Sequence, residues 1–346
     1  MRMLVALASL GIASAVHAAV QTKAVEYKHG DTVLVGLLAW DDAVQEPRPG
    51  VLICPEWWGN NEYSHGRARQ LAQLGYVAFA IDMYGKDKDG KERVTSDPKV
   101  AGEWSGGVMK DAKLRRERAA AGLGVLTHQA QVDSQRVAAI GYCMGGTVAL
   151  ELARTGAELK AVVAFHASRV CADAPEDNAK IRGTVLICHG QDDGFVQPGE
   201  IEKFHAQMKE AGVDYEFVAY AGAVHAFSNP KADEYKIPGV AYHAKADHRS
   251  WAAMRALFAE VFRKGGEAEL VVPGLGAEDA CPPALTKDRI GALDLQTALR
   301  EMTTRRTYVQ SHPGLDANSR HRLDDEISAL KARIDYLRRK NSRGSN

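Results

Sequence analysis

The stretch at residues 141–146, GYCMGG, follows the apolar run RVAAI and precedes the helix-like run TVALELAR. A nucleophile on a sharp strand-to-helix turn needs glycine two positions before it and two after it, because those residues pass too close to other backbone to carry a side chain. Gly141, Cys143 and Gly145 have this spacing, with cysteine in the place of the usual serine. The alternative is a small buried cysteine between packing glycines. The strand-like and helix-like flanks favour the reactive cysteine.

The regions around this turn alternate between apolar, strand-length runs and helical patterns. Such alternation indicates a mostly parallel sheet with helices on both faces, whose sites form at the carboxyl ends of the strands. Strands are predicted at 50–55, 76–84, 136–143, 159–166, 184–189 and 213–220, after two strands within 25–40. Helices are predicted at 62–74, 97–129 with a break at Gly106 and Gly107, 199–210 and 247–264.

A cysteine nucleophile needs a base, and the base needs an acid that orients it. The segment HGQDDGFVQP follows a predicted strand and offers Asp192 and Asp193, and AGAVHAF offers His225 after the last strand. This is the order nucleophile, acid, histidine that the strand–elbow–helix arrangement uses. The remaining candidates lie on predicted helices or long loops, or are interpreted as polar neighbours at strand ends: His65, His205, His243, His248, His166 and His189.

The loop PEWWGNNEY follows the strand GVLICP and lies at the same predicted edge of the sheet. An oxyanion hole here would use the amide of Met144, which follows the nucleophile, and one amide from this loop. Glu56 is a carboxylate at this strand end that is positioned to accept the thiol proton. The alternative is a surface glutamate that caps the next helix.

Four segments together resemble the dienelactone hydrolase family of α/β-hydrolases: CPEWWGNNEYSHGRARQLAQLGYVAFAIDMYGK, GYCMGGTVALELA, HGQDDGFVQP and AGAVHAFSNP. The resemblance spans about residues 25–264 and implies an α/β-hydrolase fold. It implies a triad of Cys143, His225 and Asp193, since Asp193 fits the family's spacing better than Asp192. It also implies that Glu56 contacts the resting thiol. The amide of the next residue, Trp57, would complete the oxyanion hole with that of Met144.

Two positions depart from the family's pattern for holding a substrate carboxylate. The resemblance implies an arginine after the strand YVAFAIDMY and another four residues past the catalytic histidine, where this sequence has Lys86 and Asn229. A lysine keeps the positive charge but cannot form the bidentate contact that arginine makes with a carboxylate, and an asparagine has no charge. The aromatic residues near these segments are predicted to line a more apolar pocket, or else to be core residues: Trp57, Trp58, Tyr84 and Phe227.

The function implied by this resemblance is cofactor-independent cleavage of a carboxylic ester or lactone through a thioester. The alternative is a catalytically reduced periplasmic binding or scaffold protein that acts through its C-terminal helices. No metal is expected, because the sequence has neither HExxH nor the Cys/His spacing of metal sites. Equal numbers of basic and acidic residues, 44 of each, argue against a nucleic-acid partner.

The N-terminus, MRMLVALASLGIASAVHA, has an early arginine, a short apolar region and small residues near Ala18. This pattern predicts a signal peptide over residues 1–18, and hence a periplasmic or secreted protein without a membrane span in its mature form. The alternative is a buried first strand or helix. In an oxidising compartment, Cys171 and Cys281 could pair, although their sequence context does not show it.

The composition changes after the catalytic domain, which is predicted to span residues 24–264. Residues 265–285 are rich in glycine and proline and predict a linker. Residues 286–346 predict a helical hairpin with helices at 286–308 and 319–340, the second capped by Asp316 or Asn318. A coiled-coil-like stripe recurs in the second helix: Leu323, Ile327, Leu330, Ile334 and Leu337. The hairpin either packs on the main domain or joins copies into a homo-oligomer.

Overall fold

The computed structural model describes residues 20–44, 46–263, 285–293, 298, 301–302, 305 and 317–343. The predicted signal peptide, nearly all of the predicted linker, and Cys281 lie outside the described residues, so the pairing of Cys171 stays untested. The chain divides into two compact units, residues 1–264 and 265–346. Among the described residues, no helix has the length and apolar character needed to cross a bilayer.

An eight-stranded sheet forms the centre of the first unit, with strand order β1-β2-β4-β3-β5-β6-β7-β8. The β1–β2 and β2–β4 pairs are antiparallel and the other neighbours are parallel. The predicted α/β-hydrolase architecture is therefore confirmed. The strands are β1 Val20–His29, β2 Thr32–Asp41, β3 Arg48–Cys54, β4 Val77–Ala80, β5 Val132–Tyr142, β6 Ala161–Phe165, β7 Thr184–Gly190 and β8 Tyr215–Tyr220.

Helices cover both faces of this sheet and bury two apolar cores against it. They are α1 Glu62–Gln73, α2 Pro98–Lys110, α3 Ala112–Thr127, α4 Met144–Ala153, α5 Pro198–Ala211 and α6 Ala244–Val261, with 3-10 turns at Pro175–Lys180 and Ala232–Tyr235. All ten residues of α4 are buried, because this helix packs on β3, β5 and β6. The start of α4, just after residue 143, is thus fixed from several sides.

Two predicted boundaries are wrong for identifiable reasons. The fourth strand ends at Ala80 rather than continuing to residue 84, because the carboxylate of Asp82 accepts the N–H groups of Val35, Tyr84 and Gly85 and turns the chain. The long helix breaks at Asp111, not at its paired glycines. The Asp111 side chain accepts the N–H of Leu114 and so begins α3.

The second unit contains α7, Lys287–Ala292, and α8, Ala317–Arg343. Part of the predicted stripe on α8 is buried: Leu323, Leu330 and Ile334, the last two in a cluster with Ile290 and Ala298. Arg305 and Glu326 form a buried ion pair beside it. Since α8 already begins at Ala317, Asn318 lies inside the helix and is not its cap. The predicted first helix is described only in part, and Asp316 lies outside the described residues.

Candidate active site

The turn from β5 into α4 holds Cys143 at φ 54°, a left-handed conformation that side-chain-bearing residues rarely adopt. A Cβ on Gly141 would lie 1.9 Å from the carbonyl oxygen of Gly145, and a Cβ on Gly145 would lie 2.1 Å from that of Cys54. The steric reason predicted for both glycines is confirmed. The strained turn lifts the cysteine out of the strand and presents its sulfur at the carboxyl edge of the sheet.

Three buried side chains form a chain of hydrogen bonds at this edge of the sheet. The Nε2 atom of His225 lies 3.1 Å from the sulfur of Cys143, and its Nδ1 atom lies 2.8 Å from Oδ2 of Asp193. The other oxygen of Asp193 accepts the backbone N–H of Phe195 at 2.9 Å. Asp192 is exposed. Of the two candidate acids, Asp193 is the one beside the histidine, and its role in catalysis stays a prediction.

The charge of His225 is governed by these two neighbours. Burial alone lowers its pKa, but Cys143 and Asp193 outweigh burial and raise it to about 10. His225 therefore keeps its proton at neutral pH and places a positive charge 3.1 Å from the sulfur, which favours the negative charge of a nucleophilic sulfur. This is the charge distribution that a cysteine nucleophile requires.

Glu56 is 2% exposed, so the alternative of a surface cap is wrong; the cap of α1 is Asn61, which accepts the N–H of Tyr63. Burial raises the pKa of Glu56 to about 7. Its Oε2 atom accepts a 2.7 Å hydrogen bond from Nδ2 of Asn229. No hydrogen bond joins Glu56 to the sulfur among the described residues, and its proposed contact with the thiol stays a prediction.

An aromatic cluster lies beside the nucleophile. The hydroxyl of Tyr84 donates to the carbonyl of Trp57 at 2.7 Å and lies 3.6 Å from the sulfur of Met144. Trp57 packs on Trp58, which stacks on Tyr235 at 4.2 Å between ring centroids. Within the described chain, the amides of Trp57 and Met144 have no protein acceptor. Their availability is compatible with an oxyanion hole, which stays a prediction.

Three residues predicted to bind substrate have other partners. The amine of Lys86 forms an ion pair with Glu26 and lines an open cavity of about 510 Å³ near the β1–β2 turn. The side-chain amide of Asn229 donates a hydrogen bond to Glu56. Phe227 is fully buried and packs on the ring of His166, so the alternative of a core residue fits it. Whether any of them contacts substrate stays a prediction.

Four residues at the site carry no motif that assigned them a role. His166, for which the sequence predicts only a polar neighbour, has φ 38° and accepts the Cys143 N–H at Nδ1. Its Nε2 atom lies 2.7 Å from the hydroxyl of Ser228. The hydroxyl of Ser168 lies 3.5 Å from the cysteine sulfur. Phe195 is 52% exposed, although its ring centroid lies 4.8 Å from that of His225. The sequence clue to His166 is its position directly after a strand, and the other three residues lie farther along the loops that follow strands.

Over the ranges that the structure describes, no group of three or more His, Cys, Asp or Glu side chains is arranged to hold a metal ion.

The family profile of the dienelactone hydrolases matches residues 34–262, about the whole of the first unit. The chain belongs to the dienelactone hydrolase family. It is accordingly an ester or lactone hydrolase.

Known proteins with similar sequences or structures agree with this membership. A dienelactone hydrolase-like promiscuous phosphotriesterase from metagenomic libraries is 40% identical, with a TM-score of 0.67 over 71% of this chain and 100% of that one. A Bradyrhizobium protein named as a 2-oxo-3-(5-oxofuran-2-ylidene)propanoate lactonase is 29% identical over 54% of this chain and 77% of its own. A Yersinia pestis protein named as a carboxymethylenebutenolidase is 27% identical over 66% of this chain and 84% of its own.

Proposed function

We propose that this family member cleaves a carboxylic ester or lactone through Cys143, His225 and Asp193, with a thioester intermediate and no cofactor. The observation that carries the proposal is the chain of hydrogen bonds from Asp193 through His225 to a sulfur raised on a strained turn. A packed structural cysteine needs neither the buried acid nor the positive φ.

In this mechanism the Cys143 thiolate attacks the carbonyl carbon and forms a C–S bond. The amides of Met144 and Trp57 hold the resulting oxyanion. As the tetrahedral intermediate collapses, the C–O bond to the alcohol breaks and His225 donates its proton to the departing oxygen. His225 then takes a proton from water, whose hydroxide attacks the thioester. The acid leaves, and the sulfur returns as a thiolate beside the protonated histidine. Asp193 orients the ring throughout.

The substrate is proposed to contact the aromatic surface beside the sulfur. Phe195 is an exposed ring next to His225, while Trp57 packs on Trp58 and accepts a hydrogen bond from the hydroxyl of Tyr84 at its carbonyl. An exposed phenyl ring at a reactive histidine favours substrates with an apolar group next to the scissile bond. Glu56 is proposed to accept the thiol proton whenever His225 is neutral, since its raised pKa lets it titrate near pH 7.

The decisive experiment is turnover of p-nitrophenyl acetate by the parent and by Cys143→Ala. Loss of turnover on the order of a thousandfold is expected, because the nucleophile is removed. Cys171→Ala is the matched control, since Cys171 is also a buried cysteine, but its sulfur lies 3.0 Å from the carbonyl oxygen of Glu200 and far from the histidine. Equal rates for parent and Cys143→Ala would contradict the proposal. A panel of lactones, aryl esters and an aryl dialkyl phosphate then ranks the substrates that the relatives' names suggest.

Two proposals concern the ends of the chain. The signal-like sequence that ends at Ala18 supports export to the periplasm or the medium, and the mass of the mature protein would reveal cleavage.

The helical second unit supports homo-oligomer formation. In the alternative, it makes the protein a scaffold with reduced catalysis. The complete chain of hydrogen bonds at Cys143 favours the enzyme over the scaffold.

A further inference from the structure

The sulfur of Cys143 has a second polar neighbour besides His225. The hydroxyl of Ser168, three residues past the end of β6, lies 3.5 Å from it. The backbone N–H of Ser168 also donates to the carbonyl of Cys143 at 3.1 Å. Ser168 is half-buried, and the sulfur is the partner that the structure gives to its hydroxyl. The hydroxyl is therefore directed at the nucleophile itself.

The segment that carries Ser168 is fixed relative to the nucleophile. Its next residue, Arg169, donates its N–H to the hydroxyl of Thr147 at 3.0 Å, and that hydroxyl donates to the Arg169 carbonyl at 2.9 Å. Thr147 lies in the first turn of α4, which begins directly after Cys143. The hydroxyl and the sulfur are thus held by the same rigid element, so little ordering is needed to keep them in contact.

The charges around the sulfur decide the direction of this hydrogen bond. At His225, Cys143 and Asp193 outweigh burial and raise the pKa, so the ring presents a proton and a positive charge to the sulfur, which favours the sulfur as the acceptor. Burial lowers the pKa of His166 well below its ordinary value, and its Nδ1 atom is occupied by the Cys143 N–H. The other titratable groups facing the pair are Asp193, which contacts His225, Tyr84, which donates to Trp57, and Glu56, which influences His225.

We propose that Ser168 is a further catalytic residue whose hydroxyl donates to the Cys143 thiolate, keeping the sulfur ionised and aimed between Ser168 and His225. The proposal rests on the proposed function for its catalytic consequence. A hydrogen bond to a charged acceptor stabilises that acceptor more than a neutral one. As the C–S bond forms, the sulfur loses its charge and the hydroxyl is released from it.

The test uses the full chain and follows alkylation of the Cys143-containing peptide by iodoacetamide between pH 4 and 9, read by mass spectrometry. Ser168→Ala keeps the backbone N–H and removes only the hydroxyl. We expect the pH of half-maximal alkylation to rise by about one unit, which means about tenfold slower alkylation below both midpoints. Ser168→Thr retains a hydroxyl and is expected to keep the parent profile. Ser105→Ala is the control, since Ser105 is buried and its hydroxyl donates to the carbonyl of Gly102 in α2.

An unchanged alkylation profile in Ser168→Ala, with circular dichroism matching the parent, would overturn the proposal. If that variant does not fold, Ser168→Gly removes the same hydroxyl and gives the same comparison. Because alkylation requires no ester, a shifted profile in a protein that hydrolyses no ester would refute the proposed function and leave the hydrogen bond standing. Ester hydrolysis with no shift would refute the role of Ser168 alone.

Discussion

The backbone N–H of Cys143 donates to the Nδ1 atom of His166 over 3.1 Å, and both residues have positive φ values, 54° and 38°. An imidazole that accepts at Nδ1 while neutral carries its proton on Nε2, which here lies 2.7 Å from the hydroxyl of Ser228. A neutral histidine therefore stabilises the strained turn by accepting the N–H of its central residue, Cys143. It links the nucleophile's strand to the segment that follows His225.

Replacing His166 by phenylalanine keeps the bulk of the ring but removes both hydrogen bonds. We expect kcat to fall by about tenfold with little change in KM, because the sulfur is less well oriented in the transition state. Stability should fall by only about 1 kcal/mol, since the N–H of Cys143 keeps the carbonyl of Phe165 and the hydroxyl of Ser228 keeps that of Tyr63 as partners. Ester kinetics and urea unfolding measure the two effects. His205→Phe, which loses only a contact with Tyr215, is the control; equal kcat in both variants would remove the supporting role.

The acid of the proposed triad can be tested against its own neighbour in the chain. Asp193→Asn should lower kcat by about a thousandfold or more, because an amide no longer holds the ring of His225 in the required tautomer and charge. Asp192→Asn, at an exposed position, should leave kcat within twofold of the parent. Steady-state hydrolysis of p-nitrophenyl acetate distinguishes them. A larger loss of kcat in Asp192→Asn than in Asp193→Asn would show that Asp192 is the acid that orients His225.

Buried Glu56 makes stability depend on pH. Its folded-state pKa of about 7 lies above the ordinary value of 4.5, so the folded protein binds this proton more tightly than the unfolded chain. This contribution is fully present below pH 4.5 and is lost as pH rises through 7. Glu56→Gln should therefore gain roughly 3 kcal/mol on the parent between pH 4.5 and pH 8. Urea unfolding at both values measures the change, with exposed Glu103→Gln as the control. A difference independent of pH would exclude the buried proton.

The exposed ring of Phe195 should affect substrate choice more than chemistry. Phe195→Ala is expected to raise KM about tenfold for p-nitrophenyl benzoate or hexanoate, because apolar contact with the substrate is lost. KM for the acetate, which has one methyl group, should change less than threefold. Val44→Ala removes another exposed apolar side chain, on the β2–β3 connection, and serves as the control. An equal effect on long and short esters would place the substrate elsewhere.

The second unit is expected to be separable from catalysis. A chain that ends at residue 264 should hydrolyse p-nitrophenyl acetate at the parent's rate, because the buried cluster of Leu330, Ile334 and Ile290 gives residues 265–346 a core of their own. It should also lose any oligomer that the full chain forms through the second unit. Analytical ultracentrifugation and ester kinetics on both chains measure this. Persistence of the oligomer after truncation would assign assembly to the first unit.

Much of the fold was predictable because local patterns and tertiary packing agree. The helix α1 was expected at residues 62–74 and spans Glu62–Gln73. The exceptions arose where a single aspartate within the segment decided the outcome. The apolar run after β4 looks like strand, but Asp82 turns it; two glycines looked like a helix break, but Asp111 supplies a better helix start. Turn chemistry competed with periodicity at both places.

At the site, the residues with a steric or chemical motif were predictable, and their supporting partners were not. Gly141 and Gly145 are required by backbone contacts within a few residues or with the adjacent strand. Ser168 and His166 meet Cys143 across 25 and 23 positions, because β5 and β6 end side by side. No spacing in the sequence specifies which side chain at such an end points toward its neighbour.

The short segment after His225 has consequences for motion. Ser228 contacts His166 and Tyr63, and Asn229 donates to Glu56. The segment is therefore bonded to the ends of two strands, β6 and β3, and to the helix α1. A backbone displacement of this segment would have to break these contacts together. Local opening of the site should therefore be cooperative: the amides around Cys143, His166 and His225 should exchange with deuterium at one common rate, as a single folding unit. The nucleophile and its histidine would then become disordered, and become ordered again, in one step.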